Sequence, residues 1–120
     1  MIHRFRFLLT ALVLLLPLLA QAQTTARNPL IENVTGTWCQ YCPFGADIIS
    51  AIKLSTPKVV VVSYHNQDAM ATTEGNQIDD SLAVLGYPNA AVDRTIWNIS
   101  GTLYLSLNRG YWAATTAIRD

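Results

Sequence analysis

The sequence is poor in charge and has no excess of either sign, with eight lysines and arginines against eight aspartates and glutamates in 120 residues. A nucleic-acid-binding chain needs a basic stripe to meet phosphate, and none is present. Cysteine is scarcer still. Two residues in all exclude a disulfide-dense scaffold. Histidine also occurs only twice, as His3 and His65. A closed zinc site takes four ligands, so Cys39, Cys42 and His65 would need a carboxylate or a second chain to complete one. No repeat or low-complexity tract is present. The longest apolar stretch, Phe7 to Leu19, is shorter than the ~20 residues of a membrane span and is interrupted by Thr10 and Pro17.

What is there begins with that stretch. Arg4 and Arg6 precede it, and Ala20-Gln21-Ala22 closes it with a small residue on either side of Gln21. This is the pattern of a secretory signal peptide over residues 1–22, cleaved rather than kept as an anchor. Residues 23–29 then form a polar entry and residues 30–120 one small domain. Loss of Arg4 and Arg6 leaves six basic residues against eight acidic ones. The mature chain is thus expected outside the cytoplasm, with no transmembrane anchor and no nucleic-acid partner.

Along that domain, Leu30 to Val34 reads as a strand running into the turn residues Thr35-Gly36-Thr37. Phe44, Ile48, Ala51 and Ile52 recur at helical spacing before Pro57, which predicts a helix starting near Cys39 with both cysteines in its first turn. Val59 to Val62 is a β-branched run of the kind buried on both faces of a parallel sheet. Ile78, Leu82 and Leu85 predict a second helix closed by Gly86. Ala90 to Trp97 and Thr102 to Leu107 predict a hairpin around Asn98-Ile99-Ser100-Gly101, and Gly110 to Asp120 a closing helix with a weak apolar stripe. The order β-α-β-α-β-β-α is that of an α/β sandwich, minimal or truncated at its C-terminus.

The two cysteines fall in "GTWCQYCPFG", three positions apart. A cysteine is a nucleophile as the thiolate, which the exposed N–H groups of a helix start stabilise. A second thiol one turn on can attack a mixed disulfide at the first and release the product. The spacing therefore suits a reversible dithiol/disulfide pair. A plain structural bridge is the alternative, although so short a loop removes little unfolded-chain entropy. Monovalent copper is another, since thiolates suit it and His65 and Met70 follow in sequence. His65 ends the Val-rich strand and is either an accessory base or a loop histidine. Trp38 packs beside the motif, and Tyr41 and Gln40 between the cysteines shape access to them.

The stretches "VTGTWCQYCPFG", "VVVVSYHNQDAM" and "LGYPNAAVDR" resemble the thioredoxin-like superfamily, and within it the Bacteroidetes thioredoxin-like outer-membrane-protein family of the twenty-eight-kilodalton type. The likeness covers most of residues 30–97. It implies a thioredoxin-like fold and a thiol-disulfide oxidoreductase, periplasmic or associated with the outer membrane, that acts on protein thiols and disulfides without a cofactor. Cys39 would attack and Cys42 resolve. Pro88 would take the cis peptide facing the pair, whereas from the residues alone it is a proline after a helix. Trp38, Tyr41 and Tyr87 would meet the incoming peptide. One departure is Asn33, an amide where many thioredoxins carry a buried acid, and an amide cannot titrate. Its neighbour Glu32 should face the other side of the strand. That departure keeps open a non-catalytic binding or structural module of the cell envelope.

Overall fold

Strand β1 (Leu30–Thr35) is the axis of the domain, with Ile31 to Val34 all buried. It runs parallel to β2 (Val60–His65), with Leu30 opposite Val60 and Thr35 opposite His65. On its other side it is antiparallel to β3 (Asn89–Val92), which pairs in turn with the two-residue β6 (Leu107–Asn108). The mixed sheet has the order β2-β1-β3-β6. Strands β4 (Trp97–Ile99) and β5 (Thr102–Tyr104) form a separate hairpin. Three helices complete the α/β domain among the described residues: α1 (Cys42–Ser55), α2 (Thr73–Ser81) and α3 (Trp112–Arg119). This computed structural model describes residues 27–120, so the expected signal peptide and most of the polar entry lie outside the described residues.

Strand alternation divides the core in two. On one face Ile31, Val92, Ala90 and Leu107 pack with Ile52 of α1 and Trp112 of α3. On the other, Val34 and Ala91 pack with Leu82 and Ile78 around α2. The weak stripe of α3 works because its buried positions are Trp112, Thr115 and Thr116. Trp112 Nε1 donates to the Leu107 carbonyl at 2.7 Å, and both threonine hydroxyls donate to the Trp112 carbonyl. The buried polar groups of α3 are thereby satisfied, and its helix is held against β6.

Several sequence expectations are corrected. Helix α1 starts at Cys42, so Cys39 precedes it rather than lying in its first turn. The cause is Pro43, which has no N–H to donate to the Cys39 carbonyl. That carbonyl instead accepts the Cys42 N–H at 3.2 Å, a tighter three-residue turn. The buried positions of α1 are Cys42, Gly45 and Ile52, with Ile48 and Ile49 partly buried, whereas Phe44 and Ala51 are exposed.

The valine run does not lie in the middle of the sheet. β2 is an edge strand, and Val60 and Val62 remain 47% and 37% exposed. Helix α2 meets β2 at its carboxyl end, where Gly75 approaches Tyr64, and leaves the valines at the other end uncovered. α2 itself ends before Leu85, because Ala83 takes a left-handed φ of 51° directly after the cap residue Leu82.

The expected strand from Ala90 to Trp97 is broken at Asp93 and Arg94, both at positive φ. The Asp93 carboxylate accepts the Leu30 N–H at 2.8 Å and salt-bridges Arg27 and Arg119. Arg94 turns back to Glu32. Most partners of this break sit more than sixty residues away in the chain, Arg119 being 26 away, and the expected single hairpin becomes two pairings, β4 with β5 and β3 with β6.

Candidate functional site around the cysteine pair

Cys39 and Cys42 form a disulfide, with their Cα atoms 5.4 Å apart. The pair caps the amino end of α1 on the face of the sheet covered by α1 and α3. Both residues are nearly buried, at 7% and 8% exposure, while Trp38 and Tyr41 on either side of Cys39 are each half exposed. Tyr41 is the residue preceding α1 and makes no side-chain cap bond, and the first turn holds no acidic residue. The partial positive charge of the helix start is thus left uncompensated beside the sulfurs.

The Tyr87–Pro88 peptide is cis. Pro88 is buried against α1. A Cβ added to Gly45 would come within 2.9 Å of Pro88 Cγ and 3.3 Å of Trp112 Cη2, so only a glycine allows the proline this close. Tyr87 stacks edge-on with Trp38, ring centroids 5.0 Å apart at 75°. The structure therefore brings Trp38, Cys39, Cys42, Tyr87 and Pro88 to one end of the sheet. Tyr41 joins them through Arg109, whose guanidinium carbon lies 5.7 Å from the centre of its ring.

His65 is placed differently from an accessory base in contact with sulfur. Its ring Nδ1 lies 2.7 Å from Asp68 Oδ2, its one side-chain hydrogen bond among the described residues. The same carboxylate accepts the N–H groups of Thr37 and Met70, at 2.8 and 2.9 Å. The hydrogen bond from His65, reinforced by these two backbone donors, holds the Asp68 carboxyl down at about 2. His65 thus reaches the cysteine loop through Asp68 and Thr37. Met70 is exposed, and among the described residues no group of three His, Cys, Asp or Glu side chains converges as metal ligands.

A second polar network lies on the α2 side. Buried Asp79 accepts the Tyr87 hydroxyl and the Asn66 amide, both at 2.7 Å. The Asn66 carbonyl accepts Trp38 Nε1 at 2.7 Å. Burial and the adjacent Asp79 carboxylate push the Tyr87 phenol up to about 12, so it stays a donor at neutral pH. Asn66, Asp68, Asp79 and Arg109 were not among the residues singled out by sequence. Asp68, three residues after His65 in a quoted stretch, was the most accessible of them to pattern reading. The others act across loops that carry no periodic signal.

Asn33 lies in the row Ile31-Asn33-Thr35 on the α1 face, is nearly buried, and donates to Ser63 Oγ at 3.3 Å. Among the described residues its buried Oδ1 has no partner. Glu32 does face the opposite side. There it receives two bonds of 2.7 Å from Arg94 and one of 3.1 Å from Tyr64, which hold its carboxyl below the usual range. It is committed to a structural ion pair and unavailable to the sulfurs.

No family model matches the chain, and no curated protein matches it. The functional reading accordingly stands on this geometry.

Proposed function

We propose that the protein is a thiol-disulfide oxidoreductase of the thioredoxin-like kind that exchanges disulfides with other proteins. The observation that carries this reading is a three-residue disulfide at an uncapped helix start, set among half-exposed aromatics and the buried Pro88. Such a bridge closes too short a loop to be more than a weak staple, and its placement suits exchange. The parallel β1/β2 pair, the antiparallel β3 and the cis Tyr87–Pro88 peptide also agree with the resemblance. The amino-terminal leader pattern supports work in the periplasm or at the outer membrane. Among the described residues no helix is long and apolar enough to cross a membrane.

In the reducing direction the Cys39 thiolate attacks one sulfur of a substrate disulfide. A mixed disulfide forms, and the first substrate thiolate leaves and takes up a proton. Cys42, as thiolate, then attacks Cys39 Sγ. The second substrate thiol is released, the Cys39–Cys42 bond is restored, and two electrons have passed from the dithiol to the substrate. The reverse sequence oxidises a dithiol. Trp38 and Tyr87 flank the approach, and the Asp68 and Asp79 networks fix the segments that carry them.

A second reading is favoured by Asn33. With an amide in β1 at the position where the resembled proteins carry a titrating acid, a binding or structural module of the cell envelope would keep the fold and hold the disulfide passively. Equilibration of the protein in graded thiol buffers separates the two. A rapidly reversible couple between about −270 and −120 mV, together with partners trapped by Cys42→Ser and lost in Cys39→Ser, is expected for the oxidoreductase. A bond that opens only on unfolding would leave the passive module.

A further inference from the structure

Against the Tyr87–Pro88 loop runs a cleft of about 330 Å³, the lower end of the range of ~300–1,000 Å³ typical of ligand sites. One wall is the loop Leu85 to Asn89, which includes Tyr87 and Pro88. The other is formed by the chain from Tyr104 to Tyr111 with Ile99 of the hairpin. The cleft and the cysteine site thus share Tyr87 and Pro88, so a segment bound against that loop meets both. Leu85, Ile99, Leu107 and Tyr111 make its lining largely apolar.

Its charge is one-sided. Arg109 is the only ionisable residue of formal charge among the lining residues, and no aspartate or glutamate lines the cleft. Among the described residues Arg109 has no carboxylate partner, in contrast to Arg27, Arg94 and Arg119, each of which is salt-bridged. Its guanidinium is held over Tyr41 by a cation–π contact, which points the charge toward the two-residue segment between the cysteines. A cation poised between an apolar cleft and a nucleophile selects for an anionic group next to an apolar one.

We infer that this cleft is the specificity pocket of the exchange site, and that it takes a polypeptide segment carrying a bulky apolar side chain and an acidic side chain close to the reacting cysteine. The apolar side chain enters between Leu85 and Leu107, and the acidic one pairs with Arg109. This deepens the proposed function and rests on the reading of Cys39 as the attacking thiol.

The test uses short synthetic peptides whose single cysteine is linked to glutathione, with a leucine–aspartate, leucine–lysine or alanine–aspartate pair next to it. The reduced wild-type protein is first followed with bis(2-hydroxyethyl) disulfide, which carries neither an acidic nor a bulky apolar group and so reports exchange without the pocket. It should then react with the leucine–aspartate peptide roughly fivefold faster than with the leucine–lysine one, the size of a partly exposed ion pair, and roughly fourfold faster than with the alanine–aspartate one, the size of about one buried CH2 group. Arg109→Glu should invert the aspartate-over-lysine ratio, and Arg109→Lys, which keeps the charge, should retain it. Equal rates with all three peptides, or a ratio that Arg109→Glu leaves unchanged, would overturn the pocket while leaving the exchange reaction standing. Should no disulfide react at all, the proposed function fails. Fluorescence anisotropy with serine-for-cysteine peptides then decides the cleft by itself, since absence of aspartate-selective binding refutes it and binding lost in Arg109→Glu supports it.

Discussion

Gly45→Ala tests whether Pro88 must press against α1. The ordinary expectation is a gain, because alanine in place of glycine inside a helix is worth about 1 kcal/mol. Here the new methyl carbon would stand 2.9 Å from Pro88 Cγ, 3.2 Å from Pro88 Cβ and 3.3 Å from Trp112 Cη2. Neither neighbour yields easily. The proline ring is rigid, and Trp112 is fully buried with its Nε1 bonded to Leu107. Overpacking of this kind costs about 1–3 kcal/mol, so the balance is a loss of about 0–2 kcal/mol. At about 4–8 °C per kcal/mol for a domain of this size, the melting temperature should fall rather than rise. The strain is best relieved by moving the Tyr87–Pro88 segment away from the cysteines, so disulfide exchange should slow as well. Urea unfolding of the oxidised protein gives the first quantity and exchange with a small aromatic disulfide the second. A variant stabilised by about 1 kcal/mol with unchanged exchange would refute the close packing.

Two further outcomes follow from the polar networks. Gly36→Ala places a methyl carbon 2.6 Å from Trp38 Nε1 and 3.1 Å from the Asn66 carbonyl, so the indole should leave both Asn66 and Tyr87. A changed tryptophan emission and a loss of about 1 kcal/mol for the broken hydrogen bond are expected, and an unchanged spectrum would count against it. Asp68 has its carboxyl held at about 2 against an ordinary 3.8. A lowered carboxyl stabilises the fold above the unfolded value and loses that contribution as pH falls from about 4 toward 2. Asp68→Asn should therefore flatten the acid limb of the urea midpoint between pH 5 and 2. A limb as steep as in the wild type would show that the carboxylate contributes nothing there.

Local pattern reached the parts of the fold governed by local rules. The strand at Leu30, the paired cysteines, the post-helix proline at Pro88 and the closing helix could all be read from spacing and residue type. Boundaries failed where one residue changes the hydrogen-bond accounting. Pro43 shifts the start of α1, and the left-handed turns at Ala83, Asp93 and Arg94 end elements that their hydrophobic pattern would extend. The valine run was misplaced because a β-branched sequence records strand preference and not what lies above the strand. The site divides in the same way. Cys39, Cys42, Trp38, Tyr87 and Pro88 converge, whereas the Asp68 and Asp79 carboxylates that brace them become visible only once β2, α2 and the cysteine loop are in place. Glu32 and Arg94 are 62 residues apart and share no motif.

The exposed β2 edge has a consequence for the molecule in company. A strand of six residues that, among the described residues, has one side of its backbone unpaired and two valines open to water is a template onto which another strand can add. The chain carries no lysine, arginine or proline between Val60 and His65 to discourage that addition. A second copy offering the same edge would close a two-fold pair along this margin, on the far side of β1 from β3 and β6.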